Sequence, residues 1–360
     1  LLGYFDKKIN NKSTLNMKGC TIVGLVVGNA KLVRFGLDGY NKVFDEFFLK
    51  DGSTSQSVTY GLKTLLGFDG FHLAFRNYSD PPYYVPQPGE VQYKNFNINK
   101  DTDYESLWHS LIWCMYYNTS YPIIGDQSHG QTFPKEYYEF LANEFKHDYI
   151  QEFVGSIQNK QTNPNNNALF LRDIDYVPFD GNWTLPDMVY PYLQQGFIRT
   201  GENGENSLLV LDASPGDGGH HHYDSLNIIY TKFGNELLND LGYLNDHPNK
   251  SKTMATVAHN TVLIDGADQK DRERGGEFHI FETMLKDTKV MQASSKPYES
   301  TSVYHRTLVQ IEHDKDENYI VDIFRSNGGT KRRELVFHGP NNNYSMNNKL
   351  TFDIPYEIIP

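Results

Sequence analysis

The chain of 360 residues predicts an α+β protein in two segregated parts, helical hairpins first and an antiparallel β-sandwich after. Three observations predict it. Helical spacing of apolar residues dominates the first part, alternating β-branched and aromatic residues dominate beyond about residue 180, and a stretch rich in Asn, Gln and Lys separates them. The expected boundaries are a helical domain over 1–154, a linker over 155–180 and the sandwich over 181–360. A cleft between the two parts is the expected place for a site.

Each element has its own warrant. Leu15 to Val33 reads as a helix with Ile22, Leu25, Val26 and Leu32 as apolar positions. Asp103 can cap a helix that buries Leu107, Leu111 and Met115, and Pro134 suits the first turn of another with Tyr137, Leu141 and Phe145 on one stripe. The run from Asp80 to Pro88 contains four prolines and cannot be regular helix. Val303 to Glu312 and Asn318 to Phe324 read as two strands joined by the polar turn Asp314-Lys315-Asp316-Glu317, an antiparallel hairpin.

Composition narrows the function classes. A formal net charge of -12 argues against nucleic acid or an anionic membrane as the main partner, although a local cluster such as Lys331-Arg332-Arg333 can coexist with it. The 25 Tyr and 22 Phe include the residue types that sugar-binding clefts use for stacking. Cys20 and Cys114 lie in apolar helical stretches, which suits buried thiols better than a disulfide framework. The apolar run Cys20 to Val27 is too short to cross a bilayer, so no membrane insertion is expected. No signal peptide is visible in the sequence.

The chemistry concentrates at Gly218-Gly219-His220-His221-His222-Tyr223-Asp224. In extended chain, residues i and i+2 share a side, so His220 and His222 point together and His221 points away. One of the pair can hold a metal while the other acts on substrate. Asp240, after the next strand, can supply a carboxylate ligand, and His259 can supply a second nitrogen. Asp224 can orient a histidine or cap a turn.

Ordered blocks in the second half resemble the heparinase II/III-like polysaccharide lyases. They are Gly218-Gly219-His220-x-His222-x-Asp224-x-Leu226, then Gly234-x-x-Leu237-Leu238-x-Asp240-x-Gly242, then Ala258-His259-Asn260-Thr261-Val262-x-x-Asp265-Gly266, and Tyr304-His305-Arg306 before Tyr319-Ile320-Val321-Asp322. Gly196 to Gly201, which includes Arg199, resembles the strand that opens the family's sandwich. The first half is similar through Asp51 to Tyr60, with Gln56 in place of the family's acid and Gly61 in place of its histidine, and through Gly125-Asp126 with His129 close by. Asn11 is the best match to the family's asparagine, with Asn16 second.

The resemblance implies an incomplete (α/α) toroid ahead of the sandwich and cleavage of an acidic, uronic-acid polysaccharide by β-elimination. It implies Tyr60, His220 and Asn11 as catalytic residues, with Gln56, His129 and Arg199 contacting substrate. His222, Asp240 and His259 match the family's zinc ligands, for a Zn2+ that organises the segment presenting His220. Such an elimination needs neutralisation of the uronate carboxylate by an amide such as Asn11 or Gln56, a base for the C5 proton and an acid for O4. Whether Tyr60 or His220 is the base stays open at this point. The resemblance also implies a secreted or periplasmic protein, with a homodimer as one expected assembly. Two alternatives remain: a uronyl C5-epimerase, and a non-catalytic zinc-containing glycan-binding protein.

Overall fold

The computed structural model describes residues 9–54, 56–158, 181–215, 220–270, 275–285, 287–314, 317–328 and 332–340. Its helices are α1 (Ser13–Val27), α2 (Ala30–Phe47), α3 (Val58–Leu66), α4 (Phe71–Ala74), α5 (Ile98–Asp101), α6 (Tyr104–Trp113), α7 (Tyr138–Glu144), α8 (Asp148–Gln158) and α9 (Lys250–Met254). Among the described residues, no helix is long and apolar enough to cross a membrane. The strands are β1 (Met188–Tyr190), β2 (Gln195–Thr200), β3 (Ser207–Asp212), β4 (Asn227–Lys232), β5 (Asn235–Leu238), β6 (Val262–Ile264), β7 (Glu277–Glu282), β8 (Thr288–Ser294), β9 (Val303–Glu312), β10 (Asn318–Asn327) and β11 (Arg333–Leu335).

Helices first and antiparallel sheets second is the order found. The helix expected over Leu15 to Val33 is two helices, because Gly28 adopts φ 66° and ends α1, and Asn29 caps α2 by accepting from the amides of Lys31 and Leu32. Ile22 and Val26 consequently lie on the exposed side of α1, while Met17, Thr21 and Gly24 make its buried side against α2. Leu107, Leu111 and Met115 are buried as expected, as are Tyr137, Leu141 and Phe145. α8 continues through Gly155 to Gln158 because its stripe of Ile150, Phe153 and Val154 is fully buried, so these residues are helix and not linker. The rest of that segment, 159–180, lies outside the described residues.

Three sheets form. β1 to β5 make an antiparallel meander in sequence order, β7 to β10 make a second in the order β10-β9-β8-β7, and β6 pairs with β11. The expected hairpin of β9 and β10 forms and pairs Glu312 with Asn318, with β10 running on past Phe324 to Asn327.

β3 explains the layering. Its side chains alternate between two apolar clusters: Leu208 and Val210 join Phe197 and Ile229 against the helical core, whereas Leu209 and Leu211 join Ile198 of β2 and Met291, Ala293 and Leu308 of the second sheet. A strand buried on both faces needs a continuous apolar run, and Leu208-Leu209-Val210-Leu211 is one. The five-stranded sheet is therefore a middle layer, with helices on one face and the four-stranded sheet on the other.

Candidate functional site

The histidine run lies at the seam between helices and sheets. Residues 220–226 are irregular, with a bend at Tyr223 and a turn at Ser225 and Leu226 leading into β4, so the expected strand is absent. His220 and His222 reach the same carboxylate. His220 Nδ1 is 2.8 Å from Asp126 Oδ2, and His222 Nε2 is 3.1 Å from Asp126 Oδ1. Asp126 comes from the helical part, and Gly125 lets it approach: Gly125 has φ 57°, and a Cβ there would lie 2.6 Å from the His220 carbonyl oxygen. That same oxygen accepts the Asp126 amide at 3.0 Å.

Asp126 is fully buried, and burial alone would raise its carboxyl. The hydrogen bonds from His220 and His222 outweigh this and hold it at about 2. An ionised carboxylate only accepts, so both imidazoles present N–H to it. His220 is then left with Nε2 as its second nitrogen, on a side chain about a quarter exposed.

The same logic fixes the deeper group. His222 gives Nε2–H to Asp126, and His259 gives Nδ1–H to the Ala255 carbonyl at 2.9 Å. Their remaining nitrogens, His222 Nδ1 and His259 Nε2, face each other at 3.2 Å, and Asp240 Oδ2 is 3.3 Å from His259 Nε2. Three lone-pair atoms thus converge with no proton between them, an arrangement that demands a cation or an added proton. Tetrahedral ligands about 2.0–2.1 Å from a zinc ion are about 3.3 Å apart, so these spacings fit a metal. His222, Asp224, Asp240 and His259 are all buried, with one ligand atom from each lying within 4.8 Å of the others. Burial opposes a charge on His222, but the hydrogen bond to Asp126 and the carboxylates of Asp224 and Asp240 push its pKa up.

The other sequence blocks hold this group in place. Arg306 is fully buried, pairs bidentately with Asp322, and donates to the carbonyls of Leu226 and Asn260, which follow Asp224 and His259 in the chain. Asn260 donates to the carbonyls of Ile228 and Asn239 at 2.9 Å each, fixing the chain just before Asp240. Asp240 itself accepts from Asn227 Nδ2 and from the Gly242 amide.

Tyr60, from α3, stacks on His220 with ring centroids 3.6 Å apart and planes 22° apart. Rings in van der Waals contact leave no gap for a pyranose between them. Burial, then the neighbouring Tyr243 and the Asp126 charge, push the Tyr60 hydroxyl pKa well up, so Tyr60 is a protonated phenol. Its hydroxyl is hydrogen-bonded to Tyr243, and Lys63 Nζ lies 4.9 Å from its ring centroid. Lys250 Nζ lies 4.5 Å from the Tyr243 ring.

The remaining expected residues divide. Gln56 lines a crevice with His220, His221 and Gln127. His129 is exposed and its Nε2 bonds the Leu241 carbonyl at 2.7 Å, joining the helical part to the loop after Asp240. Arg199 does not line the crevice: it is buried, and its guanidinium is spent on the carbonyls of Pro186, Trp113 and Met115. It clamps the end of α6 to β2. Asn11 is not brought to the histidines; its carbonyl accepts from Thr14, which packs against Gly67 at the far end of α3 from Tyr60. Sequence reasoning gave Asp224 only as a residue that orients a histidine or caps a turn and Asp126 only as part of a Gly-Asp pair, and it left out Gln127 and Tyr243 altogether. Gly125-Asp126 and the i, i+2 spacing of His222 and Asp224 were the available signals; Tyr243 and Gln127 had none.

Fold and centre together define an α+β protein with a histidine–carboxylate centre where its helices meet its sheets. Residues 184–358 match the family described as heparinase II/III-like, C-terminal. Among solved structures, the heparan sulfate lyase HepC from Pedobacter heparinus superposes with a TM-score of 0.61 at 14% identity, covering 91% of this chain and 47% of its own. A heparinase III gene product gives 0.62 at 14%, covering 97% and 50%, and a further heparinase III gives 0.61 at 12%, covering 90% and 48%. At these identities the likeness is one of fold. The chain spans about half the length of the structures it matches. No curated protein sequence matches it.

Proposed function

We propose that this protein is a polysaccharide lyase that cleaves a uronic-acid-containing chain by β-elimination. The observation that carries the reading is the Tyr60–His220 pair, an acid and a base in contact, with His220 oriented by Asp126. His220 Nε2 takes the C5 proton, the electron pair forms the C4–C5 double bond, and the C4–O4 bond breaks as Tyr60 gives its proton to O4. A phenol whose pKa is pushed up suits the acid, and the tautomer set by Asp126 suits the base. Asn11, away from the pair, has no part in this scheme.

The uronate carboxylate must be neutralised as charge builds. Gln56 and Gln127 share the crevice with His220. Gln127 Oε1 accepts the Thr59 amide at 2.8 Å, and its buried Nε2 has no hydrogen-bond partner among the described residues. An unpaired buried amide donor is suited to a carboxylate oxygen. Zinc suits the donor set of imidazoles and carboxylates, and when bound it holds His222 and, through Asp126, the orientation of His220.

Because Tyr60 and His220 form one stack, they meet the sugar from one side. The C5 hydrogen and O4 must then be cis, as in glucuronate and mannuronate and not in their C5 epimers iduronate and guluronate. The test is incubation with heparan sulfate, hyaluronan, chondroitin, dermatan, alginate and ulvan, reading the ultraviolet absorbance of the unsaturated uronate and product mass. Cleavage beside glucuronate or mannuronate is expected. Absence of unsaturated product from all of them would sink the lyase reading; inversion at C5 without cleavage would identify an epimerase, and binding alone a lectin-like role.

A further inference from the structure

We infer that Asp224 is a fourth protein ligand, which closes the coordination shell and makes the metal a structural element that never touches substrate. The inference rests on the metal reading above and deepens it. Asp224 lies two residues after His222, and their side chains converge on one buried cluster. Its side chain is buried, it offers a carboxylate oxygen within 4.8 Å of ligand atoms of His222, Asp240 and His259, and its Oδ2 has no hydrogen-bond partner among the described residues.

A buried carboxylate oxygen without a donor is costly to keep, and a cation is the partner that the neighbouring atoms also require. Charge agrees with this. Two carboxylates and two neutral imidazoles match the charge of one divalent ion, whereas the carboxylates alone would repel. Two nitrogens and two oxygens also complete the tetrahedral set of a closed zinc site, with no position left for water or substrate. The backbone is set for it: the Asp224 carbonyl accepts the Asn227 amide at 2.8 Å, and Arg306 holds the following Leu226 carbonyl at 2.7 Å. The uronate carboxylate is then met by protein amides and not by the ion.

The experiment is metal analysis of the full chain, followed by Co2+ substitution and visible spectroscopy with and without azide. The wild type should hold one metal ion and, with Co2+, give tetrahedral d–d bands that azide leaves unchanged. Asp224→Ala should bind metal at least about tenfold more weakly and give altered, azide-sensitive bands. Azide-sensitive bands in the wild type, or an unaltered spectrum in Asp224→Ala, would overturn the assignment of Asp224 while leaving the metal in place. A wild type that takes up no metal would overturn the metal reading itself. If Asp224→Ala fails to fold, the wild-type azide titration still decides.

Discussion

Replacing Asp126 by asparagine tests how the site is held together. Asparagine keeps the shape but turns one acceptor into an NH2 donor, so at least one of the two imidazole N–H groups, at 2.8 and 3.1 Å in the wild type, loses its acceptor. A charge-assisted hydrogen bond of this kind is worth about 1.5–3 kcal/mol. If His220 loses it, the ring turns or changes tautomer and Nε2 no longer offers its lone pair to C5. At about 1.4 kcal/mol per factor of ten, kcat should fall roughly 10- to 100-fold. KM should stay within about threefold, since the carboxylate contacts are made elsewhere. Metal affinity should weaken as well, by about 10- to 100-fold, because Asp126 is the outer partner of His222. The assay is initial-rate formation of unsaturated uronate at saturating metal, with metal content and melting temperature measured on the same samples. A variant with full metal occupancy and kcat within twofold of wild type would refute the reasoning.

Tyr60→Phe retains the stack on His220 but removes the acid, so kcat should drop about 10²- to 10⁴-fold with little change in melting temperature; a drop explained wholly by unfolding would point to packing instead. Arg199→Met leaves three backbone carbonyls without their donor and should destabilise the fold by about 3 kcal/mol or more in urea titration, with KM unchanged in the folded fraction; raised KM at unchanged stability would return Arg199 to the substrate. Asp126 is held at about 2 against an ordinary 3.8, so it adds stability above pH 4 that is lost as pH falls through 2, about 2 kcal/mol in all. Unfolding measured across that interval should be less pH-dependent in Asp126→Asn, and identical slopes would contradict it. Gln127→Ala should lower turnover on a uronate polymer but not on its methyl ester, and equal losses on both would remove Gln127 from carboxylate recognition.

Local signals carried much of the architecture. The β9–β10 hairpin and the alternation of His220 with His222 need only neighbours in sequence, and both were legible. The break at Gly28-Asn29 was legible too, in a glycine followed by a capping residue, but the apolar residues on both sides masked it. Arg199 could not be placed from sequence, because its role depends on carbonyls at the end of α6, 84 and 86 residues away in the chain. Asp126 and Gln127 likewise act across the seam, on His220 and on the crevice, and no local pattern encodes that distance. Asp224 was visible but ambiguous: a carboxylate after histidines reads equally as a turn cap until its burial and its unpaired oxygen are known.

The five-stranded sheet carries a practical consequence for anyone dividing this protein. The family match begins at residue 184, which invites a truncation there. That cut would strip the helices from one face of the sheet and bare Phe197, Leu208, Val210 and Ile229 to water. It would also take away Asp126, leaving His220 and His222 without their shared acceptor. The limit of that match is not a mechanical boundary: the sheet is the wall between two neighbours, packed on both faces.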